Sequence, residues 1–335
     1  MLRNKFLKGI SLPADISNVL KYIAVQKKFM QENTASILQD ALKQNDGSLD
    51  LNDINKINNY YGLAVPAILG EAFCTLRGSS MSFNERWAST CQGAMTGLFD
   101  DFFDKDYMTD DAVEKMISED NTSFIKRSNQ RLFDLFYKAA LEHVPEKKLM
   151  QETLLEVYKA QVESKEQKEN YISTERLIDI TFHKGGSSVI FYRSAFSPAA
   201  SAKELELLYN LGGMMQFSND IFDVYKDREA GIKTLITETK NIQDIRDLFS
   251  ARLHEYYQNA YAAGFPKKNV RAFLHIISIG IFSRCFVCLD QLKKDQQLTN
   301  NVFDVHQYSR KQLICDMDKK TNMLRSAWSH INDIP

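Results

Sequence analysis

Two short segments of the sequence place carboxylates at helical spacing. Residues 100–104 are Asp-Asp-Phe-Phe-Asp, and residues 219–227 are Asn-Asp-Ile-Phe-Asp-Val-Tyr-Lys-Asp. Side chains three and four residues apart share one face of a helix, so each segment would gather several oxygen atoms on one side. Like charges one turn apart destabilise an isolated helix by roughly 0.2–0.5 kcal/mol per pair. Their repetition inside apolar segments therefore predicts that the chain binds a cation.

The type of ligand atom predicts which cation is bound. Carboxylate and amide oxygens suit a hard divalent ion such as Mg²⁺, which takes one or two carboxylates and completes its shell with water and substrate phosphates. We therefore expect a phosphate- or diphosphate-binding site between helices. The candidate metal ligands are Asp100, Asp101, Asp104, Asn219, Asp223 and Asp227.

Composition favours helices and disfavours several classes of partner. Only 14 of the 335 residues are glycine and 6 are proline, roughly half the usual share. The net charge is −1, so neither nucleic acid nor an anionic membrane is an expected partner. The N-terminal residues lack the apolar region of a signal peptide, and His275 and Arg284 interrupt the apolar residues 273–289. We expect a core helix there, no integral membrane segment, and a cytoplasmic location.

The cysteines give a weaker signal than the carboxylates. The five are Cys74, Cys91, Cys285, Cys288 and Cys315. Cys285 and Cys288 form a Cys-x-x-Cys sequence, but it lies in an apolar helical segment without a second such pair. This context favours buried structural thiols over a zinc or redox centre.

Apolar periodicity near 3.6 residues runs through most of the chain, and no strand-like alternation interrupts it. It predicts helices at residues 14–30, 33–44, 50–60, 65–77, 83–105, 110–119, 121–143, 146–169, 173–183, 186–196, 201–229, 241–263, 267–293 and 303–330. The charged residues 163–170 predict a solvated helix end or loop. With no long linker, we expect a single all-α domain over residues 1–335, an antiparallel helical bundle.

Small and polar residues precede both acidic segments on the same helical faces. They are Gly93, Thr96 and Gly97 in the first helix, and Gly212, Met215 and Gln216 in the second. Two alternatives are open, a face that lines a cavity and close helix packing. We favour the cavity, because small residues on an inward face fill a core poorly and both helices have them.

The segment between the two motifs contains an arginine, an aspartate and a double glycine. Gly185-Gly186 follows a helical pattern and predicts a bent or broken helix. Arg176 and Asp179 lie one turn apart just before it. On spacing alone, these two residues fit a surface ion pair as well as a ligand site.

The two motifs together resemble those of class I isoprenoid synthases. Residues 100–104 match the DDxxD motif of that superfamily. Residues 219–227 resemble the NDxxSxxKE motif of microbial class I terpene synthases, with Asp223 in place of Ser and Asp227 in place of Glu. Residues 215–223 are also similar to the FQxxDDxxD segment of trans-prenyltransferases.

Two weaker similarities accompany the motifs. Arg176-x-x-Asp179 resembles the diphosphate-sensing arginine and linker of terpene synthases. Tyr308 and Arg310 lie where that family often has an Arg-Tyr pair, but in reversed order and with one residue between them. The resemblance spans roughly residues 60–320.

The resemblance implies a helical bundle around a deep central cavity, three Mg²⁺ ions, and ionisation of an allylic prenyl diphosphate of farnesyl or geranylgeranyl type, followed by cyclisation. In this scheme Arg176 and Asp179 are catalytic. The residues that bind the diphosphate are Arg176, Lys226 and Arg310. The expected binding partner is the small-molecule prenyl diphosphate, and a homodimer is one assembly compatible with the resemblance.

A carbocation needs an apolar wall with aromatic faces that exclude water. The candidates for that wall are Phe73, Trp87, Phe99, Phe103, Phe191, Phe217 and Phe222. Phe99 and Phe217 are favoured because they adjoin the two motifs.

Three alternatives to a cyclase fit the sequence less well. Chain-elongating prenyltransferases usually have a Gly-Lys-x-Arg segment before the first motif and Arg-Arg-Gly after it, and this chain has neither. A squalene-type synthase would need a cleaner DxxxD pair in the first motif. A non-catalytic scaffold that kept the fold is disfavoured because carboxylates are present in both motifs.

Overall fold

The computed structural model describes residues 2–104, 109–118 and 125–335, with side chains described outside residues 2–7 and 100–104. Within these residues helices dominate and there is no β-strand. The predicted all-α class is therefore confirmed. The arrangement of helices around a deep central cavity stays a prediction.

Contacts divide the chain into two compact units. The first unit consists of Met1–Ile16, Val157–Ile190 and Ser201–Pro335, and the second of Ser17–Glu156 and Phe191–Ala200. A single domain over residues 1–335 stays a prediction.

The second unit contains the helices of the N-terminal half. They are α1 (Leu2–Asn33), α2 (Ala35–Lys43), α3 (Leu51–Asn55), α4 (Tyr61–Ala64), α5 (Glu71–Arg77), α6 (Phe83–Asp104), α7 (Asp110–Ser118), α8 (Ser128–His143) and α9 (Lys147–Glu163), of which α1 and α9 also contribute residues to the first unit. Helix α6 packs against α8. At this contact Phe99 stacks on Phe133 with ring centroids 5.5 Å apart.

The first unit contains the helices of the C-terminal half. They are α10 (Thr174–Arg193, its last residues in the second unit), α11 (Ala202–Phe222), α12 (Val224–Glu229), α13 (Leu235–Glu238), α14 (Ile242–Ala262), α15 (Lys267–Ile277), α16 (Ser283–Gln296), α17 (Arg310–Leu313) and α18 (Lys320–Asn332). Helix α16 packs against α11, α14 and α18. This core contains the fully buried rings of Phe217, Phe249, Phe282 and Phe286.

The prediction of a helix break at Gly185-Gly186 was wrong. Helix α10 runs from Thr174 to Arg193 without interruption. A Cβ at Gly185 would lie 2.0 Å from the carbonyl oxygen of Gly212, and one at Gly186 would lie 2.5 Å from the ring of Tyr209. The double glycine therefore serves the close crossing of α10 and α11, and the packed neighbour keeps the helix intact.

The same contacts correct the prediction that the glycines line a cavity. A Cβ at Gly212 would lie 2.1 Å from the carbonyl oxygen of Gly185 in the first unit. In the second unit, a Cβ at Gly93 would lie 2.4 Å from the carbonyl oxygen of Tyr61. At Gly97 the nearest atoms belong to Lys56 and Tyr61. These glycines allow close helix packing instead.

The C-terminal prediction of one helix over residues 303–330 was also wrong. Short helical turns cover Val305–Gln307 and Arg310–Leu313, and a longer helix begins only at Lys320. Asp304 caps the first turn because its side chain accepts from His306 N, and at the start of the second turn Gln312 Oε1 accepts from Ser309 N. Polar capping residues favour helix starts, so they divide a segment that apolar periodicity alone joins.

Helices α15 and α16 are joined by a π-helical turn into one long apolar segment. Lys267–Gln296 is long and apolar enough to cross a membrane by length and composition alone. However, 67% of its most apolar window is buried inside the protein, which is typical of a core helix.

Candidate functional site

The first acidic motif lies at the C-terminal end of α6. Within the described residues the helix runs to Asp104, so positions 100, 101 and 104 share its last described turns, as the spacing predicts. The side chains of Asp100, Asp101 and Asp104 lie outside the described residues. Their role as metal ligands stays a prediction.

The second motif spans the junction of α11 and α12. Helix α11 ends at Phe222 and α12 begins at Val224, so Asp223 lies between them. Helical hydrogen bonds nevertheless continue through it, because Asp223 N donates to Asn219 O at 2.8 Å and Asp227 N donates to Asp223 O at 2.8 Å. The sequence prediction that Asn219, Asp223 and Asp227 follow one another by helical turns is therefore correct.

Asp223 is the accessible carboxylate of this motif. Its side chain is 32% exposed, and Oδ2 accepts a hydrogen bond from Asn219 Nδ2 at 3.3 Å. Lys226 Nζ lies 3.4 Å from the same oxygen. An amide, a carboxylate and an ammonium group thus meet at the surface of the junction.

Asp220 is a site residue that the sequence reasoning left out of its ligand set. It is only 3% exposed and accepts hydrogen bonds from Gln216 Nε2 at 2.8 Å and Thr181 Oγ1 at 3.4 Å. Burial raises its pKa to about 6, although these bonds and the charge of Lys184 oppose the rise. The available signal was Gln216, which precedes Asp220 by one helical turn.

Asp227 completes a group of three interacting carboxylates. It is 8% exposed, and burial together with the charges of Asp220 and Asp223 raises its pKa to about 7. Negative charge at this junction is therefore only partly compensated by Lys184 and Lys226. Such a group attracts a cation, and bound cations favour the ionised carboxylates.

The composition of this group fits an ion with few protein ligands. Within the described part of the chain, no three His, Cys, Asp or Glu side chains are placed to hold a metal ion together. Asp223 and Asp227 offer two carboxylates and Asn219 one amide, the kind of donor set that Mg²⁺ completes with water and phosphate oxygens. The donor set therefore suits Mg²⁺ bound jointly with a phosphorylated ligand.

Arg176 lies in a charged network at the start of α10. Its Nε and Nη2 donate to Glu166 at 2.8 and 2.7 Å, and Nη2 lies 2.7 Å from Glu163 Oε1. His183 Nδ1 contacts the other oxygen of Glu163. Burial by itself would raise the pKa of Glu163, but the hydrogen bonds from His183 and Arg176 outweigh it and the pKa is lowered.

The acidic partners of Arg176 are not the residue that the sequence suggested, which was Asp179. Arg176 pairs with Glu163 and Glu166, at the segment expected to be a solvated helix end, while Asp179 is exposed. Nothing in the spacing of the two glutamates indicated this role, because the contact depends on how α9 meets α10. The catalytic roles of Arg176 and Asp179 stay predictions.

Arg310 lies beside an aromatic ring of the second motif. Its guanidinium lies 5.7 Å from the ring centroid of Tyr225 on α12, which adjoins Lys226. Arg228 lies over the same ring at 5.0 Å and donates to the carbonyl of Tyr308 at 2.7 Å. The side chain of Tyr308 is buried, so Arg310 is the member of this pair that presents a polar group to solvent.

The two favoured cavity aromatics are core side chains of separate units. Phe99 stacks on Phe133, and Phe217 meets Phe249 edge-on at 5.5 Å. Both side chains are almost fully buried. Their role as walls of a substrate cavity stays a prediction.

Comparisons with known proteins give one structural likeness. No protein-family model matches the chain, and no curated protein matches its sequence. A solved structure described as a dehydrosqualene synthase in complex with ligand is 12% identical, with 95% of this chain and 99% of that chain covered and a TM-score of 0.43. Neither value is high enough to assign that protein's reaction to this chain.

Proposed function

We propose that this protein is a class I terpene synthase, which ionises an allylic prenyl diphosphate of farnesyl or geranylgeranyl type and cyclises the resulting carbocation. The observation that carries the proposal is the group of Asp220, Asp223 and Asp227 at the α11–α12 junction. Its negative charge is incompletely compensated, and Asn219 and Lys226 lie beside Asp223. The motif resemblance in both acidic segments supports the same conclusion.

Each residue at the junction has a proposed task. Asn219, Asp223 and Asp227 hold Mg²⁺ in the second motif, Asp100, Asp101 and Asp104 hold Mg²⁺ in the first, and Asp220 fixes the end of α11 through Gln216 and Thr181. When bound, Mg²⁺ neutralises the diphosphate as its C–O bond breaks. Asp227 must lose its proton to take part, and its raised pKa makes this step sensitive to pH near neutrality.

The cationic side chains bind the leaving diphosphate. Lys226 lies at the junction itself, and the guanidinium of Arg310 lies 5.7 Å from the ring centroid of the neighbouring Tyr225. Arg176 provides a planar pair of donors that suits phosphate oxygens, the geometry in which it already holds Glu166. Binding of diphosphate by the same Nε and Nη2 donors would displace this carboxylate.

The test is product analysis with single substrates. Geranyl, farnesyl and geranylgeranyl diphosphates are each incubated with the protein and Mg²⁺, with and without isopentenyl diphosphate. Diphosphate release and gas chromatography of the organic phase are recorded. A cyclic hydrocarbon or alcohol from one diphosphate alone is the expected result, and Asp227→Asn is the matched variant expected to lose it.

The other outcomes identify the alternatives. Longer linear diphosphates formed only with isopentenyl diphosphate would make the protein a chain-elongating prenyltransferase. A hydrocarbon formed from two prenyl groups would make it a squalene-type synthase. No diphosphate release from any substrate would leave a non-catalytic helical protein.

A further inference from the structure

Arg228 on α12 binds the backbone of a segment that comes much later in the chain. Its Nη1 donates to the carbonyl oxygens of Tyr308 at 2.7 Å and of Val305 at 3.2 Å. These carbonyls lie in the short helical turn Val305–Gln307 and at its end, where a helix leaves its last carbonyls without partners of its own. The Arg228 side chain is only 13% exposed. Arg228 therefore fastens residues 305–308 to α12.

Arg310 follows this contact by two residues and is held from its other side as well. Gln291 Nε2 of α16 donates to the carbonyl oxygen of Gln312 at 2.7 Å. Arg310 begins α17 between the two contacts. The backbone position of Arg310 is therefore set by two side chains, Arg228 on α12 and Gln291 on α16.

The ring of Tyr225 is shared by the two arginines. The guanidinium of Arg228 lies 5.0 Å from the ring centroid, and that of Arg310 lies 5.7 Å from it. Tyr225 and Arg228 are three residues apart, so they share one face of α12. A contact between a cation and an aromatic ring is weak at an exposed site. It can orient the Arg310 side chain only while the backbone of Arg310 is held in place.

The two arginines differ in the donors that remain for a ligand. Arg228 Nε and Nη2 donate to Glu229 Oε1 at 3.0 and 2.8 Å, so all three of its side-chain nitrogens have partners. Glu229 is 55% exposed, so the two carbonyls, rather than this ion pair, fix the guanidinium. The side chain of Arg310 is exposed, and no carboxylate among the described residues pairs with it. Arg310 therefore keeps its donors for an anion.

We propose that Arg228 is a positioning residue for Arg310. By holding the turn of residues 305–308, it keeps the Arg310 guanidinium over the ring of Tyr225. There Arg310 binds an oxygen of the diphosphate that is held with Mg²⁺ at the second motif, so the inference rests on the proposed function. Without Arg228, Arg310 must lose more conformational freedom before it can bind, and its contribution to affinity falls.

A double-mutant cycle separates positioning from a general effect of charge or folding. Isothermal titration calorimetry measures the Kd of inorganic diphosphate in excess Mg²⁺ for the wild type, Arg228→Gln, Arg310→Gln and the double variant. We expect Arg310→Gln to weaken binding about tenfold, the scale of one charge-assisted hydrogen bond, and Arg228→Gln about fivefold. The double variant should bind as Arg310→Gln does, because no guanidinium remains to be positioned.

Two variants serve as controls for the cycle. Arg252→Gln removes an arginine that also lies over a ring, that of Phe182 at 5.6 Å, and near a carboxylate, that of Glu255 at 3.4 Å. Its affinity for diphosphate should stay within about twofold of the wild type. Arg228→Lys should recover part of the affinity lost in Arg228→Gln, because an ammonium can still donate to the two carbonyls.

Hydrogen exchange of the ligand-free protein tests the contact itself. Amides of residues 305–310 should exchange roughly fivefold faster in Arg228→Gln and at the wild-type rate in Arg252→Gln.

The outcomes distinguish this inference from the proposed function. Equal weakening by Arg228→Gln with and without the Arg310 side chain would overturn the positioning role, and so would unchanged exchange of residues 305–310. Either result leaves the proposed function standing, provided that the wild type binds diphosphate with Mg²⁺. A wild type that binds no diphosphate would overturn the proposed function and this inference together.

Discussion

Arg176 holds the carboxylate of Glu166 through two hydrogen bonds, from Nε at 2.8 Å and from Nη2 at 2.7 Å. A diphosphate offers the same pair of anionic oxygens to the same planar donors. In the proposed function, a phosphate group would compete with Glu166 for these two donors. Exchange of one anion for the other would connect substrate binding to the contact between α9 and α10.

We expect Arg176→Lys to lower kcat/KM for the prenyl diphosphate by about 10²-fold, because a lysine has no paired planar donors. The stability of the variant should change by only about 0–1 kcal/mol, since the ion pair is partly exposed and lysine keeps the charge. Steady-state kinetics and thermal unfolding measure the two effects. The matched variant Glu166→Gln should keep a normal kcat, and equal losses of activity in both variants would show that Arg176 acts only in the structure.

Asp223→Ala should lose most activity, about tenfold or more, because it removes an accessible oxygen ligand. Asp223→Ser should retain a part of it, since a hydroxyl can still contact a cation. The measurement is diphosphate release at saturating substrate and varied Mg²⁺. Glu229→Gln is the control, as that carboxylate on α12 pairs with Arg228. Wild-type activity of Asp223→Ala would exclude Asp223 as a ligand.

Removal of Mg²⁺ with a chelator should abolish turnover, and added Mg²⁺ should restore it. The physical reason is that a leaving diphosphate needs divalent charge at the junction. Diphosphate release in chelator and after readdition of Mg²⁺ checks this directly. Full activity in chelator would contradict the metal-dependent mechanism.

The metal-free protein should lose stability as pH rises through about 7. The folded pKa of Asp227 lies above its ordinary value of 3.8, so between about pH 4 and 7 the folded state binds more protons than the unfolded state, and stability falls with rising pH. We expect Tm to drop by about 2–4 °C between pH 6 and 8 in chelator. Asp227→Asn should remove this part of the pH dependence, and an unchanged profile would show that Asp227 is not its source.

Gly212→Ala should destabilise the protein by about 3 kcal/mol, because its Cβ would lie 2.1 Å from the carbonyl oxygen of Gly185 and must push α10 and α11 apart. Gly9→Ala is the matched control in a helix, where the nearest atom is Ile331 Cδ1 at 3.9 Å. It should be neutral or stabilising by about 0.4–1 kcal/mol. Thermal and denaturant unfolding measure the stability of both variants. Equal stability of Gly212→Ala and Gly9→Ala would contradict the close-packing role of Gly212.

The local pattern of the sequence was sufficient to predict most of the helices and the helical spacing of the second motif. Apolar periodicity predicted most helices of the described residues, including α6 and α14, because the hydrogen bonds of a helix join residues only four apart. For the same reason the helical succession of Asn219, Asp223 and Asp227 followed from their numbering alone.

The tertiary structure decided the features that depend on residues distant in the chain. Gly185-Gly186 has the local signal of a helix break, yet the backbone of Gly212 packs against it and the helix continues. A single sequence contains no measure of such contacts, because they are set by packing between helices rather than by hydrogen bonds within one.

The same reason explains the site residues that the sequence did not reveal. Asp220 is distinguished from Asp223 only by its burial, which raises its pKa, and the spacing of both is equally regular. The partners of Arg176 depend on helices that approach one another in space. The sequence by itself determined which groups could do chemistry, and the packing of helices decided which of them are buried, paired or in contact.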